Sequence, residues 1–229
     1  MTQVATKPRP RARRCPSPAP TLDDVQHIVL EDVSWDFYER LLKEIGNRPI
    51  RVTYDEGRLE MMSPLPEHEV IKNLIHDMMR LLTMELDMPM KCLGSTTFRW
   101  QEKRGGMEPD DCYYFRDEKR MRARKRWNPK RDPPPEIVVE VDVTRRSVDR
   151  EPVYLKLGVP EIWRWDGIRL SCLLRRGEAY TPSERSKALP FLDPADLTRF
   201  LKMAWRQEEN AILRQFLKWV KRQEWGSAG

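Results

Sequence analysis

The chain has 229 residues, of which 39% are hydrophobic and 34% charged, with a formal net charge of +6. That apolar content is enough for a core and excludes wholesale disorder, and no run approaches the ~18 apolar residues of a membrane span. The length predicts one domain with extensions, or two small ones at most.

Residues 1–20 carry Lys7, Arg9, Arg11, Arg13 and Arg14 and no acid, so most of the net charge lies there. They are rich in Pro, Arg and Ala without the apolar centre of a secretory signal, which predicts a disordered basic leader. Cys15, Cys92, Cys112 and Cys172 form no CxxC pair and no regular spacing. This argues against structural zinc and a disulfide framework, and points to reduced thiols in a cytoplasmic protein.

Organised sequence begins near Thr21. Ser34 is placed to cap a helix over Trp35 to Ile45, where Phe37, Leu41, Leu42 and Ile45 fall near helical spacing. Arg51 to Tyr54 and Arg58 to Met62 flank Asp55-Glu56-Gly57 and predict a hairpin. Beyond the break at Ser63, Pro64 and Pro66, Glu67 to Leu86 reads as a long amphipathic helix. Its stripe of Val70, Ile71, Leu74, Ile75, Met78, Leu81, Leu82 and Leu86 belongs to a core. Strands are predicted at Cys92 to Trp100 and Asp111 to Phe115. A basic block, Arg116 to Arg131, and three prolines then connect to the most apolar strand, Ile137 to Val143. A short helix from about Asp149 to Leu157 ends at Gly158. Two more strands follow at Ile162 to Trp165 and Leu170 to Leu174. From Pro194 the chain reads as helical, first over Ala195 to Trp205 and then through Leu213, Phe216, Leu217 and Val220. The order predicts an α/β or α+β domain over residues 21–193, with a C-terminal helical extension over 194–229 packed on it.

Within the apolar strand stand Glu140 and Asp142. Side chains alternate across a strand, so both project from one face while Ile137, Val139, Val141 and Val143 fill the other. Two neighbouring carboxylates repel in a low dielectric, so they are solvated, paired with bases, or neutralised by a metal. A second acidic cluster, Glu108-Pro109-Asp110-Asp111, precedes the strand Cys112 to Phe115. Acids at the mouth of one strand and inside another suit a magnesium or manganese ion, which takes hard oxygen ligands and can activate water against a phosphodiester. In the basic block, Arg122, Arg124, Lys125 and Arg126 can bind phosphates and Trp127 can stack on a base; the same run also reads as a solvated loop. His27 and His76 have no evident partner and read as structural or exposed.

At these residues the sequence resembles the Uma-type family of bacterial restriction endonucleases. The resemblance rests on Gly57-Arg58-Leu59-Glu60-Met61-Met62-Ser63-Pro64, on His68, on Glu108-Pro109-Asp110, on Ile137 to Asp142, and on Leu157-Gly158-Val159-Pro160-Glu161-Ile162-Trp163, spread over roughly residues 30–200. That family is similar to the PD-(D/E)xK nucleases, which implies a restriction-endonuclease-like mixed central sheet flanked by helices. It also implies metal-dependent cleavage of DNA, with Asp110 and Glu140 as the metal-holding acids, Asp142 assisting, and Glu60 and His68 as further site residues. A homodimer is implied too, since cutting two strands favours two sites.

The pattern breaks at the lysine. Two residues after the acid stands Asp142, and the alternative position four before Tyr154 holds Arg150. Arginine can meet a phosphate but stays protonated and cannot serve as a base. Lys156, six residues on, is rotated about 240° from Arg150 on a helix and is a poor substitute. Two readings therefore stand beside each other: a magnesium-dependent DNA endonuclease, and a catalytically impaired nuclease-fold protein that binds DNA or a partner. A third, an interaction module using Trp219 and Trp225 on the C-terminal helices, competes with those rings completing a core.

Overall fold

The computed structural model describes residues 27–142 and 149–225, and of His27 only the backbone. The basic leader, Cys15 and Val143 lie outside the described residues.

Ser34 Oγ accepts the Phe37 N–H at 3.2 Å and starts α1 (Trp35–Ile45), as its sequence predicts. An edge strand β1 (His27–Leu30) precedes it, and the hairpin β2 (Arg51–Asp55) and β3 (Arg58–Met62) follows. Pro66 occupies the first turn of α2 (Pro66–Glu85), where its missing N–H costs nothing. Then come β4 (Lys91–Cys92), β5 (Phe98–Trp100), β6 (Gly105–Met107), β7 (Asp111–Tyr114), α3 (Glu118–Met121), β8 (Ile137–Val141) and α4 (Glu151–Leu157). The chain continues through β9 (Glu161–Trp165), β10 (Leu170–Arg176), β11 (Ala179–Ser183), α5 (Thr198–Leu201) and α6 (Glu209–Arg222).

These strands make two sheets. The first runs β1-β3-β2-β6-β5 and is antiparallel throughout. The second runs β11-β10-β9-β8-β7-β4 and is mixed, with β8 and β9 parallel and the rest antiparallel. This is the expected mixed central sheet with flanking helices. Alternation along β8 sorts its side chains: Ile137, Val139 and Val141 join Trp163 and Trp165 in the core beneath α2 and α6. Val138 faces the other way, into a second core with Cys112, Ile162 and the α4 residues Val153, Tyr154 and Leu157. That second core also holds Phe98 and Met107 of the first sheet, so α4 sits where the two sheets meet. Each such fully buried aliphatic side chain contributes about 1.5–3 kcal/mol.

Several elements differ from expectation. The strand predicted over Cys92 to Trp100 is two strands in two sheets, because Gly94 takes φ +58° and turns the chain between them. β6 carries no strand signal, being Gly105-Gly106-Met107. Gly106 is required because a Cβ there would lie 2.9 Å from Cε1 and Cζ of Tyr38, whose ring stacks on Tyr54. β11 holds Pro182, tolerated because the strand lies at a sheet edge. The basic connection contains α3, and the helix predicted over Ala195 to Trp205 is a short 3-10 turn followed by α5. Trp219 and Trp225 pack on each other and on Phe200, Phe216 and Phe191, so they complete a core rather than offer an interaction surface. Among the described residues no helix is long and apolar enough to cross a membrane.

Candidate active site

The site is built where β8, the approach to β7, the start of α4 and β3 converge. Opposite alternation to Val139 and Val141 turns Glu140 toward α4, and its residue is only 1% exposed. Asp110 is pinned beside it by two backbone bonds. Its N–H donates to the Val139 carbonyl at 3.1 Å, and its Oδ2 accepts the Val141 N–H at 2.7 Å. Arg150 caps α4 and Tyr154 lies one turn along it, so both reach the same partner. Arg150 Nη1 donates to Glu140 Oε2 at 2.9 Å, and the Tyr154 hydroxyl donates to Oε1.

Arg150 also brings in the first sheet. Its Nη2 lies 4.0 Å from Glu60 Oε2 and 3.2 Å from Met62 Sδ, both on β3. Burial alone would favour the neutral guanidine, but Glu140, Asp110, Tyr154 and Glu60 outweigh it and raise the Arg150 pKa, so the side chain stays charged. Both strand acids pair with arginine, one of the three fates open to them. Asp142 pairs separately, its Oδ2 3.5 Å from Arg164 Nε, while Arg164 Nη2 reaches Glu151 Oε1 at 3.0 Å. The site thus joins Asp110, Glu140, Arg150 and Glu60, and Asp142 stands at its margin.

His68 is buried in the first turn of α2 with Nδ1 accepting the Leu65 N–H at 3.0 Å, which leaves Nε2 as the protonated nitrogen of the neutral ring. It helps start the helix. Lys156 points elsewhere, to Asp55 Oδ1 at 2.5 Å and Glu56 Oε1 at 2.6 Å, so it does not replace the missing lysine. His76 does have a partner after all, with Nδ1 3.0 Å from Asp111 Oδ2.

A groove lies beside this site, its lining including Arg51 but neither Asp110 nor Glu140. Two adjoining hollows of about 540 and 530 Å³ share Arg48, Ser95, Thr97 and Glu108. Lys125, Arg126, Trp127 and Arg99 line one end, and Arg51, Glu69 and Lys72 the other. Arg51 stands between the groove and the site: Nη2 is 3.3 Å from Glu69 Oε1 and 3.9 Å from Asp110 Oδ1, and Nη1 donates to the Pro109 carbonyl at 3.3 Å. Burial pushes the Glu108 carboxyl up in spite of the hydrogen bond it accepts from Thr97.

Within the basic block, Lys125 and Arg126 are exposed, whereas Arg122 pairs with Glu118 at 2.7 Å and Arg124 with Asp132 at 3.2 Å. The Trp127 indole N–H donates to the Pro133 carbonyl at 2.8 Å, and its ring packs edge-on to Phe98. That indole is anchored in the wall of the groove.

Sequence reasoning missed Arg51 and gave Tyr154 no role. The signal for Arg51 was available, since an arginine among Ile50, Val52 and Tyr54 is charged in an otherwise buried strand. Nothing in the spacing tells that it meets Asp110, far along the chain.

The donor set fits a hard divalent ion. Asp110 and Glu140 offer oxygen only, and magnesium takes one or two carboxylates from a protein, completing its shell with water and phosphate.

A family described as "Putative restriction endonuclease" matches this chain over residues 35–207. The chain is also similar to a solved structure titled as that of "a putative nuclease belonging to DUF820" from Anabaena variabilis. That likeness has 11% identity and a TM-score of 0.46, and covers 78% of this chain and 97% of that one. None of the curated proteins matches.

Proposed function

The chain belongs to the Uma2 family, and on that premise we propose that it is a metal-dependent endonuclease hydrolysing phosphodiester bonds in DNA. The observation that carries this reading is the convergence of Asp110, from the approach to β7, and Glu140, from β8, behind Arg51, which lines a groove together with other arginines and lysines. A magnesium or manganese ion held by the two acids supplies Lewis acidity and a water of lowered pKa.

The chain's own residues do the rest. Tyr154 and Arg150 hold Glu140 in one rotamer, and the Val141 N–H does the same for Asp110. Arg150 balances the charge of Glu140 and Glu60 in the resting site, and we assign it to the scissile phosphate, where a permanent cation offsets developing negative charge. Asp142, held by Arg164, assists from the margin, and His68 orients the helix start beside β3. Lys125 and Arg126 contact the sugar-phosphate backbone, with Arg122 and Arg124 adding to the positive field and Trp127 shaping the wall. Such contacts give affinity without sequence information. Cleavage of both strands calls for two copies of the site, and hence a homodimer.

One observation favours a second reading. Both oxygens of Glu140 already accept hydrogen bonds, one of them from an arginine where the family pattern has lysine. A protein that binds DNA without cutting it would tolerate that pair. Incubation of supercoiled plasmid with magnesium, manganese or a chelator, beside Glu140→Ala, separates the two. Metal-dependent nicking that is lost in the variant supports the endonuclease. A folded chain that binds DNA and leaves it intact in every metal supports the binding protein.

A further inference from the structure

On the opposite face of the second sheet lies a cluster that the nuclease reading does not use. Asp111 pairs in register with Val139, so its side chain shares the Val139 face and turns away from Glu140. Cys92 pairs with Tyr113, two residues along from Asp111, and so stands on the same face. His76 comes down from α2 to meet them. We propose that His76, Cys92 and Asp111 form a zinc site that ties α2 and the short edge strand β4 to β7.

The geometry is close to that of a coordinated ion. One donor atom from each residue lies within 4.8 Å of the others. His76 Nδ1 is 3.0 Å from Asp111 Oδ2, and Cys92 Sγ is 2.9 Å from Asp111 Oδ1. Zinc bonds of about 2.0 Å to nitrogen or oxygen and about 2.3 Å to sulfur put tetrahedral ligand atoms about 3.3–3.6 Å apart.

The donor types choose the metal. Imidazole, thiolate and carboxylate together suit zinc and disfavour magnesium, which takes oxygen alone. On coordination Cys92 loses its thiol proton to solvent and the sulfur binds as thiolate. The ligands are already oriented from behind: the Tyr113 hydroxyl donates to Asp111 Oδ2 at 2.6 Å, the Cys112 N–H to Oδ1 at 2.8 Å, and the Gly94 N–H to Cys92 Sγ at 3.1 Å. The His76 side chain is 29% exposed and that of Asp111 is 3% exposed, so the open side faces solvent next to His76 and admits water as fourth ligand. Asp111 directly follows Asp110, so an ion here stiffens the start of β7. The site is separate from the nuclease reading and stands or falls without it.

Cobalt is the probe, because a cobalt–thiolate bond absorbs in the near ultraviolet and an all-oxygen site does not. Titration of the intact chain is expected to produce a thiolate-to-cobalt charge-transfer band that saturates and is displaced by zinc. Cys92→Ser is expected to lose the band, and His76→Ala to weaken zinc binding at least ~10-fold. Absence of the band in the folded chain, or its persistence in Cys92→Ser, overturns the proposal.

Discussion

Arg150 donates through Nη1 to Oε2 of Glu140 at 2.9 Å, and the two side chains are 3% and 1% exposed. Breaking a buried pair from one side leaves a charge with no water and no counterion, which costs about 3–5 kcal/mol. Arg150→Met is therefore expected to lower the unfolding free energy, read from a urea titration, by that much. Glu140→Leu in the same background is expected to recover most of the loss, because an apolar pair of similar volume carries no desolvation cost. A single variant as stable as the wild type would show that Glu140 is held by its other partners alone.

Tyr38 covers Gly106 so closely that no side chain fits between them. Gly106→Ala is expected to push that ring from its stack on Tyr54 and to cost about 1–3 kcal/mol, as overpacking does. Thermal unfolding measures it. Gly105→Ala serves as control, since a Cβ there meets its neighbours at ordinary contact distance, 3.6 Å or more.

Lys156 joins α4 to the β2–β3 hairpin through Asp55 and Glu56. Burial lowers its pKa, but the hydrogen bonds and charges of the two acids outweigh this and raise it. A cation whose folded pKa is raised contributes its full stability below the unfolded lysine value of about 10.4 and loses it as pH climbs through the folded value. Glu56 is shifted the other way, downward, chiefly by its hydrogen bond from Lys156. Its share is present above the unfolded value of about 4.3 and is lost as pH falls through the folded one. The melting-temperature gap between the wild type and Lys156→Met is thus expected to be flat near neutrality and to narrow at both extremes. A gap that persists at high pH would assign it to packing of the lysine stem.

Lys125 and Arg126 lie exposed along the groove. If they neutralise phosphates, Lys125→Gln with Arg126→Gln weakens duplex binding for every sequence alike and flattens the plot of log affinity against log salt by about 0.9 per lost contact. Fluorescence anisotropy across a salt series reads both. An unchanged slope would place the DNA elsewhere.

Much of this architecture was legible in the residues. The α1 cap, the hairpin, the long stripe of α2 and the alternation of β8 all follow from spacing, since each is a local relation between neighbours. The resemblance of their segments to a known family raised the expectation that Asp110 and Glu140 serve one site, and the structure sets the Asp110 carboxylate on the Val141 N–H, next in the chain to Glu140. The elements that escaped had weak local signals: two glycines in β6, a proline in β11, and a run from Cys92 to Trp100 whose continuity hides a change of sheet.

The distances within the site were out of reach for a different reason. Arg51 reaches Asp110, Glu60 approaches Arg150, and His76 meets Cys92 and Asp111 only because two sheets and a helix close on one another. Composition and periodicity state which residues are charged and which face they share with near neighbours. They determined the apolar strand, the face its acids share and the basic block, while the resemblance of the chain's motifs pointed to the family. Tertiary structure decided which base each acid meets: Arg150 rather than Lys156 on Glu140, Arg164 on Asp142. An ion pair depends on separations through space, and segments distant in the chain acquire those only when the cores beneath them are packed.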